Sequence, residues 1–239
     1  MRIAVFGGSF NPVHNGHLKL AEAVRELAGY DRILFVPAYH SPFKALPSGA
    51  TDDDRVRMLE IALAGKEWAV IEKCELSRGG MSYTYDTIEY LEQKYTASGE
   101  LDVKRDGKLG LVIGADLVAG FANWYRASEL ASKVDIILAR RTVTETSANS
   151  AGFCAEEANP ADIAPHETLA VTEARHETLA APHETSEISG FPFSHTVIEN
   201  PYIDVSSSEV RQAVHDGKKL KALVPKSVCD YILERRLYD

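Results

Sequence analysis

Apolar and polar residues alternate in two patterns along most of this chain. Short apolar runs rich in β-branched residues predict buried strands, and between them apolar positions recur at helical spacing. Continuous apolar strands that alternate with helices are typical of a parallel sheet covered on both faces. We therefore predict an α/β fold, a Rossmann-like doubly wound, mainly parallel sheet. The predicted strands cover residues 3–6, 32–36, 69–72, 109–113 and 134–138, and the helices 18–27, 53–64, 84–95 and 128–133.

The pattern changes in residues 142–193, which are rich in Ala, Glu and Thr and contain His-Glu-Thr at 166, 176 and 183. Low complexity and acidity favour a solvated insertion, with a helical hairpin or an oligomer contact as alternatives. The histidine intervals of ten and seven residues differ from the i, i+4 spacing of metal-binding helices. We predict a low-complexity acidic insertion without a metal site. A strand at 196–198 and helices after Ser206 and Pro225 follow it.

Length and charge restrict the classes of partner. The 239 residues suffice for one domain, which we expect to span 1–239. The formal net charge is −9, but residues 142–190 contain nine acidic residues and one basic residue. The rest of the chain is therefore nearly neutral and shows no basic stripe of the kind that binds nucleic acid. Small phosphorylated ligands are the favoured partners, and no nucleic acid is expected.

Cysteine spacing and hydropathy indicate a cytoplasmic protein. Cys74, Cys154 and Cys229 lie far apart without C-x-x-C spacing, so neither a disulfide framework nor a zinc site is predicted. No apolar run approaches the ~18 residues of a membrane span, and the first apolar run is too short for a signal peptide. We expect no membrane partner.

The most informative segment lies where the first predicted strand leads into the first helix. Its sequence, GGSFNPVHNGH, fills residues 7–17. Glycine lets a backbone approach an anion closely, and a helix N-terminus presents N–H groups and a positive dipole end. Two imidazoles add side-chain donors, with capping of the helix or of buried backbone groups as their alternative role. We predict a triphosphate site here. The candidate ligands of the triphosphate are Gly7, Gly8, Ser9, Phe10, His14 and His17.

A second candidate anion site follows in the sequence SSSEVR at residues 206–211. Ser206 and Ser207 stand at a helix start, and the Arg211 guanidinium can hold a phosphate with two parallel hydrogen bonds. Taken alone, the serines are equally well an ordinary N-cap and Arg211 a solvated helix residue. Lys44, in a loop flanked by prolines, is a candidate mobile cation.

Four segments together resemble the bacterial nicotinate-mononucleotide adenylyltransferase family. The first and last carry the H-x-G-H and Ser-Ser-x-x-Val-Arg patterns of the nucleotidyltransferase superfamily, and the middle two favour this branch. Two positions depart from the family pattern, since Val205 replaces the usual Ile and Phe43 stands where a basic residue or His is common. The segments are residues 7–17, 82–87, 114–116 with Trp124 and Tyr125, and 205–211 with 223–225.

The resemblance implies transfer of an adenylyl group from ATP to nicotinate mononucleotide. The attacking phosphate oxygen is already ionised at neutral pH, so alignment and charge neutralisation matter more than a general base. The family pattern makes His14, His17, Lys44 and Arg211 the catalytic residues, as donors to phosphate and to developing charge. Mg²⁺ is the expected cofactor because a triphosphate normally arrives as its magnesium complex.

The resemblance also assigns the remaining ligand contacts. Gly114 and Asp116 would bind the ATP ribose, with an N-cap as the alternative role of Asp116. Trp124 would stack on the pyridine ring, with core packing as its alternative. The backbone amides of Thr84 and Tyr125 would receive the nicotinate carboxylate, which suits amide donors better than a carboxamide does.

Two other functions stay open at this point. Phosphopantetheine adenylyltransferase shares the H-x-G-H motif and a similar Ser-Ser-x-Val-Arg run, but the middle two segments argue against it. A non-catalytic adenine-nucleotide-binding sensor would keep the pocket without turnover. Arg55, Arg57 and Arg78 are either phosphate contacts or surface charges. The oligomeric state is also open, and a homo-oligomer is one of the alternatives.

Overall fold

The structure, a computed structural model, describes residues 1–42, 49–142, 191–201 and 205–239. Within these ranges strands and helices alternate as predicted. The strands are β1 (Ile3–Gly8), β2 (Arg32–Pro37), β3 (Ala69–Ile71), β4 (Gly110–Gly114), β5 (Asp135–Thr142) and β6 (His195–Pro201). The helices are α1 (Asn15–Leu27), α2 (Asp52–Leu63), α3 (Cys74–Arg78), α4 (Thr84–Ala97), α5 (Val103–Asp106), α6 (Ala115–Val118), α7 (Ala127–Lys133), α8 (Ser207–His215) and α9 (Lys226–Arg235), with a 3₁₀ turn at Phe121–Asn123.

The six described strands form one sheet in the order β3-β2-β1-β4-β5-β6, and every described pair is parallel. From β1 the chain moves outward through β2 and β3, then returns to the other side of β1 and continues through β4, β5 and β6. The strand order therefore reverses between β1 and β4, where ligands bind in doubly wound sheets. The predicted Rossmann-like parallel sheet is confirmed.

Alternate side chains of each strand enter two separate cores. In β1, Ala4 and Phe6 face one core, whereas Ile3 and Val5 face the other. Both faces are therefore covered, which explains why the strands are continuously apolar rather than alternating. The first core receives residues of α1, α2, α8 and α9, and the second receives residues of α4 and α7.

Element boundaries depart from the prediction where tertiary contacts extend a strand. β1 runs on to Gly8 because parallel pairing continues to Gly8 opposite Pro37, so the two glycines belong to the strand. β5 extends to Thr142 because β6 pairs with it over seven residues. The short helices α3, α5 and α6 were not predicted, since four or five residues carry no helical periodicity.

The predicted insertion at 142–193 lies mostly outside the described residues. At its margins, Thr142 ends β5, and Phe191 and Phe193 pack edge-on against Phe121, with ring centroids 5.2 and 5.4 Å away. The C-terminal margin of this segment is therefore attached to the second core. The insertion itself and the single domain spanning 1–239 stay predictions.

Candidate active site

The candidate site surrounds the β1–α1 loop, residues 9–14, at the carboxyl edge of the sheet. Both predicted glycines end β1, where Gly7 pairs with Val36 and Gly8 with Pro37. A Cβ on Gly8 would lie 3.2 Å from the Phe10 ring, so that ring needs glycine there. A Cβ on Gly7 would meet no described atom within 4 Å, so the described packing does not require glycine at position 7.

His14 and His17 cap the N-terminus of α1 with their imidazoles. His14 Nδ1 accepts from the backbone N–H of His17 at 3.4 Å, and His17 Nδ1 accepts from the backbone N–H of His14 at 3.2 Å. Because Nδ1 is an acceptor in both rings, each neutral ring carries its proton on Nε2 and is a donor there. A Cβ on Gly16 would lie 3.1 Å from His14 Nδ1, which explains the glycine of the motif.

The loop is shaped by a buried aromatic side chain in a left-handed conformation. Phe10 has φ 45° and is fully buried, and its ring lies 5.0 Å from the His17 ring and 5.6 Å from Phe6. Non-glycine residues rarely adopt this conformation. The packing of the ring stabilises the turn, so Phe10 determines where the following residues and His17 lie.

Helix α8 holds the same loop from one side. The Ser207 hydroxyl donates to the Pro12 carbonyl at 2.9 Å, and Arg211 donates through Nη1 to the Asn11 carbonyl at 2.7 Å. Ser206 caps α8 by accepting from the backbone N–H of Glu209. The structure thus brings both predicted anion sites together. Contacts of these three side chains with a triphosphate stay a prediction.

Arg55 also holds the β1–α1 loop. Its guanidinium is 1% exposed and donates to the Ser9 carbonyl at 2.6 Å, so it is not a surface charge. The surface-charge alternative is therefore wrong for Arg55, whereas a phosphate contact of Arg55 stays a prediction. Its position on the apolar face shared with Leu59 and Ala62 is a sequence signal that would have predicted burial.

The other two arginines left open also have protein partners. Arg57 is exposed and pairs with Glu60 on its own helix, at 3.1 Å. Arg78 donates to the Thr87 hydroxyl at 3.2 Å, which in turn donates to Glu75 at 2.6 Å. These contacts support the surface-charge alternative for Arg57 and a packing role for Arg78.

The C-terminus supplies a contact that no local pattern indicates. The Tyr238 hydroxyl donates to Asn11 Oδ1 at 2.6 Å across 227 positions, and both residues are buried. Burial raises the pKa of Tyr238, which keeps the hydroxyl protonated as a donor. The loop is therefore held from α2, from α8 and from the last turn of the chain.

The predicted mononucleotide residues meet at a second place. The Tyr83 ring lies 4.6 Å from the Tyr125 ring, and Thr84, the first residue of α4, follows Tyr83 in the chain. The backbone N–H of Thr84 belongs to the first helical turn, where no intrahelical acceptor exists. Trp124 is half-buried with its ring 5.0 Å from Phe121, so it combines packing with an exposed part.

The remaining predicted residues are placed only in part. Gly114 ends β4 and is the N-cap residue of α6, which puts it at the switch point beside β1. Asp116 is the second residue of α6, so its alternative role as the N-cap is wrong. The side chain of Asp116 and the whole of Lys44 lie outside the described residues.

In the described part of the chain, no group of three or more His, Cys, Asp or Glu residues could hold a metal ion. No helix in those ranges is long and apolar enough to cross a membrane.

Comparison with known proteins places this site in a family. A model of the cytidylyltransferase-like family matches residues 5–213. The chain belongs to this family. Two relatives, from Treponema pallidum (strain Nichols) and Borreliella afzelii (strain PKo), carry the name "Probable nicotinate-nucleotide adenylyltransferase". They are 37% and 31% identical to this cytidylyltransferase-like chain over 238 residues, covering all of it and 99% and 97% of the relatives.

Solved structures confirm the fold. Plasmodium falciparum nicotinic acid mononucleotide adenylyltransferase complexed with NaAD matches with a TM-score of 0.66 at 19% identity, covering all of this chain and 97% of that one. The same enzyme complexed with APC matches with a TM-score of 0.65 at 18% identity. The cytidylyltransferase-like fold and the resemblance to nicotinate-mononucleotide adenylyltransferases are confirmed.

Proposed function

We propose that this chain transfers an adenylyl group from ATP to nicotinate mononucleotide, which yields deamido-NAD and pyrophosphate in NAD biosynthesis. The observation that carries the proposal is the imidazole pair, in which each Nδ1 atom accepts from the backbone N–H of the other histidine. The proton of each neutral ring then stands on Nε2, which makes that atom a donor. This pair lies at the positive end of a helix beside the switch point of the sheet, where an anion is favoured. Relatives that align with the whole chain are named for this reaction.

The reaction needs alignment and charge neutralisation more than proton transfer. A 5′-phosphate oxygen of the mononucleotide attacks the α-phosphorus of ATP, a P–O bond forms, and the bond to the β-phosphate breaks as pyrophosphate leaves. The nucleophile is already ionised, so no proton is abstracted. Donors held in place before the reaction stabilise the charge that develops on the transferring phosphoryl group. His14 and His17 meet this need because their orientation is set by the helix backbone.

The remaining residues divide between the two substrates. We assign Lys44 and Arg211 with the two histidines to catalysis, and Thr84, Trp124 and Tyr125 to the mononucleotide. The Tyr83 ring contacts the Tyr125 ring, so the chain segments that carry Thr84 and Tyr125 meet, which supports a nicotinate carboxylate shared by their two backbone amides. The ATP contacts assigned are Gly7, Gly8, Ser9, Phe10, Gly114, Asp116, Ser206 and Ser207.

Mg²⁺ is proposed as part of the nucleotide substrate. The imidazole N–H groups of His14 and His17 and the Arg211 guanidinium are donors, which bind phosphate oxygens and not a cation. Oxygen ligands for Mg²⁺ would then come from the triphosphate and water. Chelation with EDTA is expected to stop turnover, and added Mg²⁺ to restore it.

The deciding experiment measures pyrophosphate release from ATP with three acceptors, namely nicotinate mononucleotide, its nicotinamide counterpart and phosphopantetheine. We expect turnover with the nicotinate compound, slower turnover with the nicotinamide compound and none with phosphopantetheine. Preference for phosphopantetheine would assign the chain to the alternative enzyme. ATP binding without turnover on any acceptor would favour the sensor. A cytoplasmic location stays a prediction, and the oligomeric state stays open.

A further inference from the structure

Arg55 is a buried charge that the proposed chemistry does not use. Its side chain is only 1% exposed and heads the largest fully buried side chains of the described residues. Burying a guanidinium is costly unless hydrogen bonds and a counter-charge replace its water. An apolar side chain would fill the same space at a lower cost in free energy. The burial of Arg55 therefore indicates that its hydrogen bonds have a role of their own.

The guanidinium joins three segments. Nη1 donates to the Ser9 carbonyl at 2.6 Å, and Nη2 donates to the Ala38 carbonyl at 2.8 Å and to Asp52 Oδ1 at 2.6 Å. Ser9 follows β1 and Ala38 follows β2, whereas Asp52 begins α2. One side chain thus fixes the carboxyl ends of two neighbouring strands relative to a single helix.

The Ser9 contact leads to the imidazole pair. Ser9 precedes Phe10, whose left-handed conformation and buried ring set the course of the loop. The Phe10 ring contacts the His17 ring at 5.0 Å. A shift of the Ser9 carbonyl would therefore move Phe10 and, through it, His17.

The Ala38 contact leads to the proposed mononucleotide side. The backbone N–H of Tyr39 donates to the Ser82 hydroxyl at 3.1 Å, and the Ser82 N–H donates to the His40 carbonyl at 2.8 Å. Ser82 stands two residues before Thr84, where α4 begins. Arg55 is therefore connected to both proposed substrate sides, through the Phe10 ring on one side and through the hydrogen bonds of Ser82 on the other.

We propose that Arg55 is a positioning residue that sets the distance between the two substrates, an inference that rests on the proposed function. A reaction between two bound anions depends on the separation of the reacting atoms, and a shift of about 1 Å costs about 100-fold in rate. The planar guanidinium fork holds two carbonyls at a fixed spacing. A lysine keeps the charge but cannot reproduce that spacing.

The kinetic test compares Arg55→Met and Arg55→Lys with Arg57→Met, a control on an exposed arginine two positions along the same helix. We expect kcat to fall about 10- to 100-fold in Arg55→Met, with both KM values changed less than about threefold, because alignment is lost and binding is kept. Arg55→Lys should lose less, and Arg57→Met should match the parent. Unchanged kcat, or a loss confined to KM, would overturn the proposal.

A second readout does not depend on turnover. Amide hydrogen exchange in the substrate-free protein should quicken at residues 9–17 and 38–42 in Arg55→Met but not in Arg57→Met. If Arg55→Met does not fold, Arg55→Lys decides by the same two measurements. If the parent chain releases no pyrophosphate with any acceptor, the proposed function fails, and the exchange comparison alone decides: unchanged exchange at both segments overturns the role of Arg55.

Discussion

Two regions at the carboxyl edge of the sheet are built in opposite ways. In the β1–α1 loop, Phe10, Asn11 and His14 are buried, and directed hydrogen bonds from α2, α8 and the C-terminus hold the backbone. In the tyrosine patch, formed by Tyr83, Tyr85 and Tyr125, the contacts are ring against ring, and Tyr125 is 47% exposed.

The difference matches the two tasks of the proposed reaction. Developing phosphate charge is stabilised only by donors held in place beforehand, which requires a braced loop. A flat ring is recognised by stacking, which tolerates small displacements and suits an exposed aromatic surface. Substitutions in the loop should therefore lower kcat, whereas substitutions near the tyrosine patch should raise KM.

The strongest test of the difference between the two regions is His17→Ala, which removes one imidazole of the pair beside the β1–α1 loop. Removing a donor to developing charge is expected to lower kcat at least about 100-fold, with little change in KM for the mononucleotide. Pyrophosphate release measures both constants. His215→Ala, which removes an exposed imidazole at the end of α8, serves as the control and should keep full activity. A loss below about fivefold in His17→Ala would remove the imidazole pair from catalysis.

Trp124→Ala tests the second region, because Trp124 directly precedes Tyr125 of the tyrosine patch. Loss of a stacking partner for the pyridine ring should raise KM for nicotinate mononucleotide about tenfold and KM for ATP much less. Trp68→Ala is a matched control, because Trp68 packs against the first core near Arg25 and Lys66. Steady-state kinetics with each substrate varied in turn distinguishes the cases. Equal rises in both KM values would refute the stacking role.

Tyr238→Phe tests whether the hydrogen bonds that hold the β1–α1 loop contribute to the stability of the fold. The substitution removes the hydrogen bond to Asn11 Oδ1 while it keeps the ring, so the free energy of unfolding should fall by about 1 kcal/mol. Urea denaturation measures the change. Tyr90→Phe, at an exposed tyrosine of α4, should leave stability within about 0.5 kcal/mol of the parent. If Tyr238→Phe and Tyr90→Phe have the same free energy of unfolding, the hydrogen bond from Tyr238 does not stabilise the loop.

Asp54→Asn probes the junction of α2 and α9, where Asp54 contacts Tyr231 and Arg235. Burial raises the pKa of Asp54, but hydrogen bonds from Thr51 and Tyr231 outweigh it, so the pKa lies below its ordinary value of 3.8. A lowered carboxyl pKa stabilises the fold above that ordinary value, and the contribution is lost as pH falls through the folded pKa.

The stability difference between the parent and Asp54→Asn should therefore be about 0.5 to 1 kcal/mol at pH 7 and shrink below pH 3.8. Urea unfolding at pH 7, 5 and 3.5 measures it. Asp53→Asn, at an exposed position in the same helical turn, is the control. A stability difference between the parent and Asp54→Asn that stays constant over this pH range would show that the charge of Asp54 does not stabilise the fold.

Local sequence patterns predicted the elements and part of the site. The apolar strands and the start of α8 at Ser206 follow from periodicity and capping, which depend on neighbouring residues. The H-x-G-H spacing that puts His14 and His17 at the start of α1 was equally local. The left-handed conformation of Phe10 was not predicted, because it depends on the packing of its ring against distant residues. The apolar face of α2 signals the burial of Arg55, but it does not reveal which backbone carbonyls the guanidinium reaches.

By itself, then, the sequence determined the alternation of strands and helices and the place of the anion-binding motif at the end of β1. Periodicity and helix capping depend on residues a few positions apart, so both can be recognised directly in the amino-acid sequence. Only the tertiary structure decided that Arg55, Arg211 and Tyr238 converge on one loop. Hydrogen bonds between residues up to 227 positions apart form only when both cores have packed and brought their donors within reach.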